Sequence, residues 1–183
     1  MFKWTLRLLA LFILAGLGLF FWGRTLPEHH VASVSARYAR APADVWNVLA
    51  DPQRFPEWRP DVKTVELLPD PQGRSAWREH GDYGELAMVR AEADPPRRMV
   101  LEIVADPGAE PDFSGRWVFE LVPDGSGTRV IITEDGRIHN PLFRSVASLV
   151  VGYQSTAVAY LRALGTRFNE TVEPVPGEVT FPG

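Results

Sequence analysis

The chain has 183 residues, enough for one domain with a sizeable buried core. Cysteine is absent, which excludes disulfides, thiolate metal sites and cysteine nucleophiles. Net charge is −4; the first 27 residues hold Lys3, Arg7 and Arg24 and no acid, so the remainder carries 16 basic and 23 acidic residues, an acidic body that argues against nucleic acid.

Residues 8–23, "LLALFILAGLGLFFWG", contain no charged side chain. As a helix this run spans about 24 Å, slightly less than the roughly 30 Å hydrocarbon core of a bilayer. Trp4 and Trp22 suit the two interfaces, and Arg7 can snorkel. The spacing predicts a membrane anchor over residues 4–22. A cleaved signal peptide is the competing reading. Against it, the run ends in Phe20-Phe21-Trp22 with no small-x-small site after it. The cationic side precedes the helix, so the positive-inside rule places the N-terminus in the cytoplasm and the body outside, in the periplasm or its equivalent.

"HVASVSARYA" (30–39) alternates apolar and polar residues, the period of a half-buried strand. "APADVWNVLAD" follows as a helix, with Pro42 in its first turn and Val45, Trp46 and Leu49 on one side. Asp51-Pro52 stops it. The stretch "DPQRFPEWRP" (51–60) packs three prolines around Phe55 and Trp58, so it reads as a tight helical turn whose rings either anchor a connector or line a site. Six strand-like runs come next: 62–68, 75–80, 85–93, 98–105, 115–123 and 128–138. Between them lie short turns, among them Pro69-Asp70-Pro71-Gln72-Gly73, Gly81-Asp82-Tyr83-Gly84, Asp94-Pro95-Pro96, Asp106-Pro107-Gly108 and Asp124-Gly125-Ser126-Gly127. Short connectors of this composition make hairpins, and hairpins make an antiparallel sheet.

The last element differs. Over 140–168, Leu142, Val146, Leu149, Tyr153, Ala157, Tyr160, Leu164 and Phe168 form one apolar stripe at helical spacing, which predicts one long helix capped by Asn140 with Pro141 in its first turn. Gly152 inside it is a tolerable weakness. The tail 173–183 is rich in Pro and Gly and is expected to be loose. Seven antiparallel strands curl rather than lie flat. A long helix in the concave face would enclose a cavity suited to a small apolar ligand.

These residues resemble a known superfamily. Pro42, Val45, Trp46, Leu49, Asp51, Phe55, Pro56 and Trp58, followed by a strand, are similar to the opening of START-like, polyketide cyclase/dehydrase and lipid-transport proteins. "GRWVFELVPDGSGTRVIITEDGRI" is similar to their penultimate hairpin, and Tyr160-Leu161-x-x-Leu164 lies near the end of a matching helix. The resemblance covers about residues 30–168. It implies an α+β helix-grip fold, with a seven-stranded curved antiparallel sheet wrapped around the C-terminal helix. The domains would be an anchor and linker (1–27), the START-like body (28–172) and the tail (173–183). Members carry lipids and sterols, close polyketide rings, bind quinones or sense hormones, so fold alone does not settle function.

The candidate ligand-binding residues are Trp58, Trp77, Met99, Leu101, Trp117, Phe119, Glu134 and Tyr153. For Trp46 and Trp58, core packing between the short helices and the sheet is the favoured reading over pocket lining. Trp117 could be wall or core. Glu134 shares a strand face with Ile132 and Val130, so it is a general acid–base candidate, a polar hook for a head group, or a carboxylate at the sheet's end paired with an arginine such as Arg90. Trp77 and Glu79 share a face in the same way. His29, His30, His80 and His139 lack ligand-like spacing, so no metal is expected. Gly125-Ser126-Gly127 joins two strands and reads as a turn, not a dinucleotide loop. No cofactor is implied. Three functions stay open: a membrane-tethered binder of a lipid, isoprenoid or quinone; a cyclase or dehydratase using Glu134 with a Tyr or His; and a protein-interaction module at the membrane.

Overall fold

The structure, a computed structural model, describes residues 2–70, 72–82, 84–105 and 111–177. The Asp106-Pro107-Gly108 turn, Pro71, Tyr83 and the end of the tail, 178–183, lie outside the described residues.

Helix α1 spans Phe2–Gly23, and at 1.5 Å per residue its 22 residues reach about 33 Å. It is longer than the uncharged run because Phe2–Arg7 continue the helix, and it is long and apolar enough to cross a membrane. β1 (His29–Tyr38) follows, then α2 (Pro42–Leu49), with Val45, Trp46 and Leu49 buried on one side as the spacing predicts. Pro52–Glu57 form a 3₁₀ turn, the geometry that three prolines permit. The sheet continues with β2 (Val62–Leu68), β3 (Ala76–Gly81), β4 (Gly84–Asp94), β5 (Arg98–Ile103), β6 (Phe113–Asp124) and β7 (Gly127–Ile138).

Each strand pairs antiparallel with its neighbours, in the order β2-β3-β4-β5-β6-β7-β1-β8. β8, Val175–Pro176, is an eighth strand beyond the seven expected. Residues of the tail pair with Val34 and Ser35, and the Gly177 amide donates to the Ser33 carbonyl at 2.9 Å.

The expected helix over 140–168 is not continuous. α3 (Pro141–Val146) opens on the predicted cap, with the Asn140 side chain accepting from the Leu142 amide at 3.0 Å. It widens into a π turn over Ala147–Val151 and ends at Gly152, whose φ of 73° no helix accepts. α4 (Ser155–Arg167) then starts afresh. The apolar stripe is accordingly two stripes. Ala157, Tyr160 and Leu164 face the sheet and are buried, whereas Leu142, Val146 and Leu149 are 39%, 40% and 61% exposed.

The core lies between α4, α2 and the concave face of the sheet. Val34, Phe119, Ile132, Leu161 and Leu164 are essentially inaccessible to solvent. The buried Tyr38 hydroxyl donates to the Leu161 carbonyl at 2.8 Å and pins β1 to the middle of α4. No residue of α1 takes part in this core.

Candidate functional site

Residues opposite each other in adjacent strands share a face, so the register lists what lines the grip. Leu101, Trp117, Glu134 and Ala32 form one row across β5, β6, β7 and β1. Met99, Phe119, Ile132 and Val34 form the next. Burial changes between these rows. The second is sealed beneath α4, while in the first Trp117 and Glu134 are only half-buried. The grip is packed at the α2 end and reaches solvent at the other.

Two polar clusters interrupt the apolar lining. At the open end, His30 Nε2 lies 3.3 Å from Glu134 Oε1. The imidazole stacks on Tyr153, with ring centroids 4.5 Å apart and planes 24° apart. Gly136 makes this possible: a Cβ there would come within 2.8 Å of His30 Cε1 and 3.3 Å of Glu134 Oε1. Three elements meet here, because Tyr153 is the first residue after the Gly152 break.

The second cluster is deeper. Arg59 forms ion pairs with Glu79 at 2.8 Å and with Asp61 at 2.7 Å. Trp77 Nε1 donates to Glu79 Oε1 at 3.0 Å. The guanidinium lies over the rings of Tyr160 and Phe55, at 4.8 and 5.3 Å. Burial works against the Arg59 charge, yet Glu79, Tyr160 and Asp61 together hold its pKa above the ordinary value. Burial also pushes the Tyr160 phenol up, so it stays a neutral hydrogen-bond donor. The Tyr160 hydroxyl and Trp58 Nε1 are buried with no hydrogen-bond partner among the described residues.

Tyr160 joins the clusters. Its ring touches Trp58, Phe119 and Trp117 at centroid distances of 5.3, 5.4 and 6.1 Å. Trp117 in turn stands opposite Glu134. The arrangement is a ring-packed interior with an acid–imidazole pair at the open end and, inside, buried donors on Tyr160, Trp58 and Arg59 without partners among the described residues. Chemically it offers an apolar surface, an acceptor at the open end and donors deeper in.

The structure separates the candidate residues by depth. Trp77, Met99, Leu101 and Phe119 are at most 3% exposed and belong to the packed wall. Trp58 is 8% exposed and lies edge-on to Phe55 and Tyr160, so the proline-rich turn is pinned by its rings. Trp46 is core. Trp117, Glu134 and Tyr153 meet at the open end. Arg90 does not reach Glu134; it donates to the Ala50 carbonyl at 2.6 Å, and burial lowers its pKa. Asp135 points outward, where His29 and Arg116 hold its carboxyl below the usual range against the opposing effect of burial.

Sequence reasoning missed His30 as Glu134's partner and Arg59 as Glu79's. The first contact spans 104 positions and depends on the β1–β7 register. The Trp77/Glu79 face was the one usable signal for the second. A cavity of about 430 Å³ lies between the end of α1 and the base of α3, lined by Phe20, Pro111, Asp112, His139, Asn140 and Pro141. Between helix and sheet, the rings of Trp58, Trp77, Phe119 and Tyr160 pack into the core.

Solved structures with this architecture are numerous. The Zhui aromatase/cyclase from Streptomyces sp. R1128 superposes with a TM-score of 0.60 at 20% identity, covering 77% of this chain and 93% of that one. A START superfamily protein from Mycobacterium smegmatis gives 0.58 at 18% identity, covering 76% and 97%. Truncated norcoclaurine synthase from Thalictrum flavum gives 0.60 at 12% identity, covering 76% and 93%. At these identities the likeness shows the fold alone. None of the curated proteins matches the chain. Residues 29–172, from the start of β1 to the end of the helix-grip core, match the family described as polyketide cyclase / dehydrase and lipid transport, and the chain belongs to that family.

Proposed function

We propose that this protein is a membrane-tethered binder of a hydrophobic small molecule of lipid, isoprenoid or quinone type. The observation that carries the reading is the half-buried group of Trp117, Glu134, His30 and Tyr153 at the open end of a ring-lined grip. An apolar ligand entering there meets Trp117 first. Its polar group finds the Glu134–His30 pair, while Trp58, Trp77, Met99, Leu101 and Phe119 form the wall behind. Passage deeper requires the Tyr160 and Trp58 rings to turn aside, which would bring their unpaired donors to the ligand. Family membership supports a hydrophobic ligand. Helix α1 supports tethering, and the charge bias around it supports a cytoplasmic N-terminus with the domain outside.

A second reading, a cyclase or dehydratase, is favoured by one observation: Glu134 and His30 touch at the open end, as an acid–base pair must. The name of the Streptomyces neighbour, an aromatase/cyclase, is consistent with it. One experiment separates the two. Detergent-purified full-length chain is extracted and the copurifying apolar compound identified by mass spectrometry, then titrated back. Trp117→Ala should weaken binding at least about tenfold, or about 1.4 kcal/mol. Absence of any apolar compound, together with no melting shift from added lipids or quinones, refutes the binder. Conversion of the compound by the native chain but not by Glu134→Gln, with binding retained, establishes the enzyme.

A further inference from the structure

The first half of the interrupted helix, Pro141–Val151, presents apolar side chains to the outside, and its position says what covers them. α3 packs along the end of α1. A Cβ at Gly23 would overlap the Pro141 carbonyl oxygen, so glycine permits backbone contact there. One turn back along α1, the Ser145 hydroxyl donates to the Leu19 carbonyl at 2.6 Å. Gly23 against Pro141 and Leu19 against Ser145 fix the two helices as antiparallel neighbours. Close approach through small residues and a hydroxyl reaching a backbone carbonyl are the devices of helix packing in lipid.

The polar residues of α3 all face inward. Arg144 is 5% exposed, pairs with Glu28 at 3.0 Å and reaches the Leu26 carbonyl at 3.4 Å. Ser145 is fully buried. What remains outside is Leu142, Phe143, Val146 and Leu149, between 39% and 61% exposed, together with the small hydroxyl side chain of Ser148. Phe113 of β6 stacks on Phe143 at 5.5 Å and 6° and, at 43% exposure, extends the same patch. Leu149 lies eight positions beyond Pro141, so the patch runs roughly 12 Å back along α1. It is continuous with the lipid-compatible surface of that helix, and a patch of this kind on a monomer marks an interaction surface.

We infer that Pro141–Val151 is a second membrane element, lying in the hydrocarbon beside the last turns of α1 with Leu142, Phe143, Val146 and Leu149 against acyl chains. The inference rests on the reading of α1 as a membrane anchor. Its consequence is positional. Tyr153 follows this element after the single residue Gly152, so the open end of the grip faces the bilayer, and an apolar ligand can pass between lipid and protein without crossing water.

The absence of cysteine makes the test direct, because single-cysteine variants label at one site. The full chain is reconstituted into phosphatidylcholine vesicles and labelled with an environment-sensitive nitrobenzoxadiazole dye at Leu149→Cys, at Val146→Cys as a second position, at Leu11→Cys in α1, and at Arg129→Cys on the outer sheet face. Doxyl-labelled phosphatidylcholine and aqueous iodide are the quenchers. The expected result is loss of most emission to doxyl lipid at Leu149, Val146 and Leu11, and loss to iodide only at Arg129. Doxyl quenching at Leu11 with iodide quenching at Leu149 and Val146 overturns the inference and leaves the anchor standing. Protection of Leu149 and Val146 from both quenchers also overturns it, because protein then covers the patch. Iodide quenching at Leu11 as well refutes the anchor and the inference together.

Discussion

At the scale of single residues, buried polar groups decide most. Arg59 and Glu79 are 9% and 6% exposed, among rings, and neither charge is affordable there without the other. Glu79 also accepts the indole N–H of Trp77, which is 1% exposed. Glu79→Ala therefore removes two partners at once and leaves a donor orphaned. Asp61 still pairs with Arg59, which puts the loss near the low end of the range for breaking a buried ion pair, about 3 kcal/mol. Chemical denaturation of the full chain in detergent measures it. Glu79→Gln keeps an acceptor for Trp77 and should recover part of the loss. Equal stability of Glu79→Ala and native chain would mean that solvent reaches Arg59. This cluster was only half legible in the sequence. The period-2 pattern put Trp77 and Glu79 on one face, but Arg59 stands in a proline-rich turn, where no period says which way a side chain points.

Elements were legible to the extent that their signals are local. Asn140 and Pro141 start a helix where a cap and a first-turn proline should, and Asp51-Pro52 ends one. The break at Gly152 was not legible, because an apolar stripe at three- and four-residue steps looks the same whether one helix carries it or two. What distinguishes the cases is which neighbour each half meets: the sheet for Ala157, Tyr160 and Leu164, and α1 for Pro141 and Ser145. The backbone at Gly152, φ 73° and ψ 145°, belongs to a region that other residues enter at about 1–3 kcal/mol. Gly152→Ala should lower stability by that amount. Nothing lies within 4 Å of the added methyl, so the cost is conformational and not steric crowding. Thermal melting gives the magnitude. An unchanged or raised midpoint would show that the two halves merge into one helix, the arrangement expected from sequence alone. The His30–Tyr153 stack depends on the break and should loosen in the same variant.

For the whole molecule, the question is how much of it α1 holds together. The core draws on β1 to β7, α2, α4 and the proline-rich turn, and on no residue before Val34. The family match begins at residue 29, just after α1 ends. Both facts support a reading in which the body is a folding unit and α1 an appendage joined through α3. Removing residues 1–27 should therefore leave cooperative unfolding intact. It should not leave the molecule indifferent to its surroundings. The truncation uncovers the faces of Pro141 and Ser145 that α1 protects, beside Leu142, Phe143, Val146 and Leu149, and so enlarges an apolar patch already present. The body's formal charge of −7 opposes association, but it is spread over the surface and screened at physiological salt within about 8 Å. The apolar contact should win. The truncated chain is expected to self-associate in size-exclusion chromatography, to return to monomer in mild detergent, and to lose most of that tendency in Leu149→Glu. A truncated chain that fails to fold would make α1 part of the domain. One that folds and stays monomeric without detergent would mean that the α3 patch is too small to drive association.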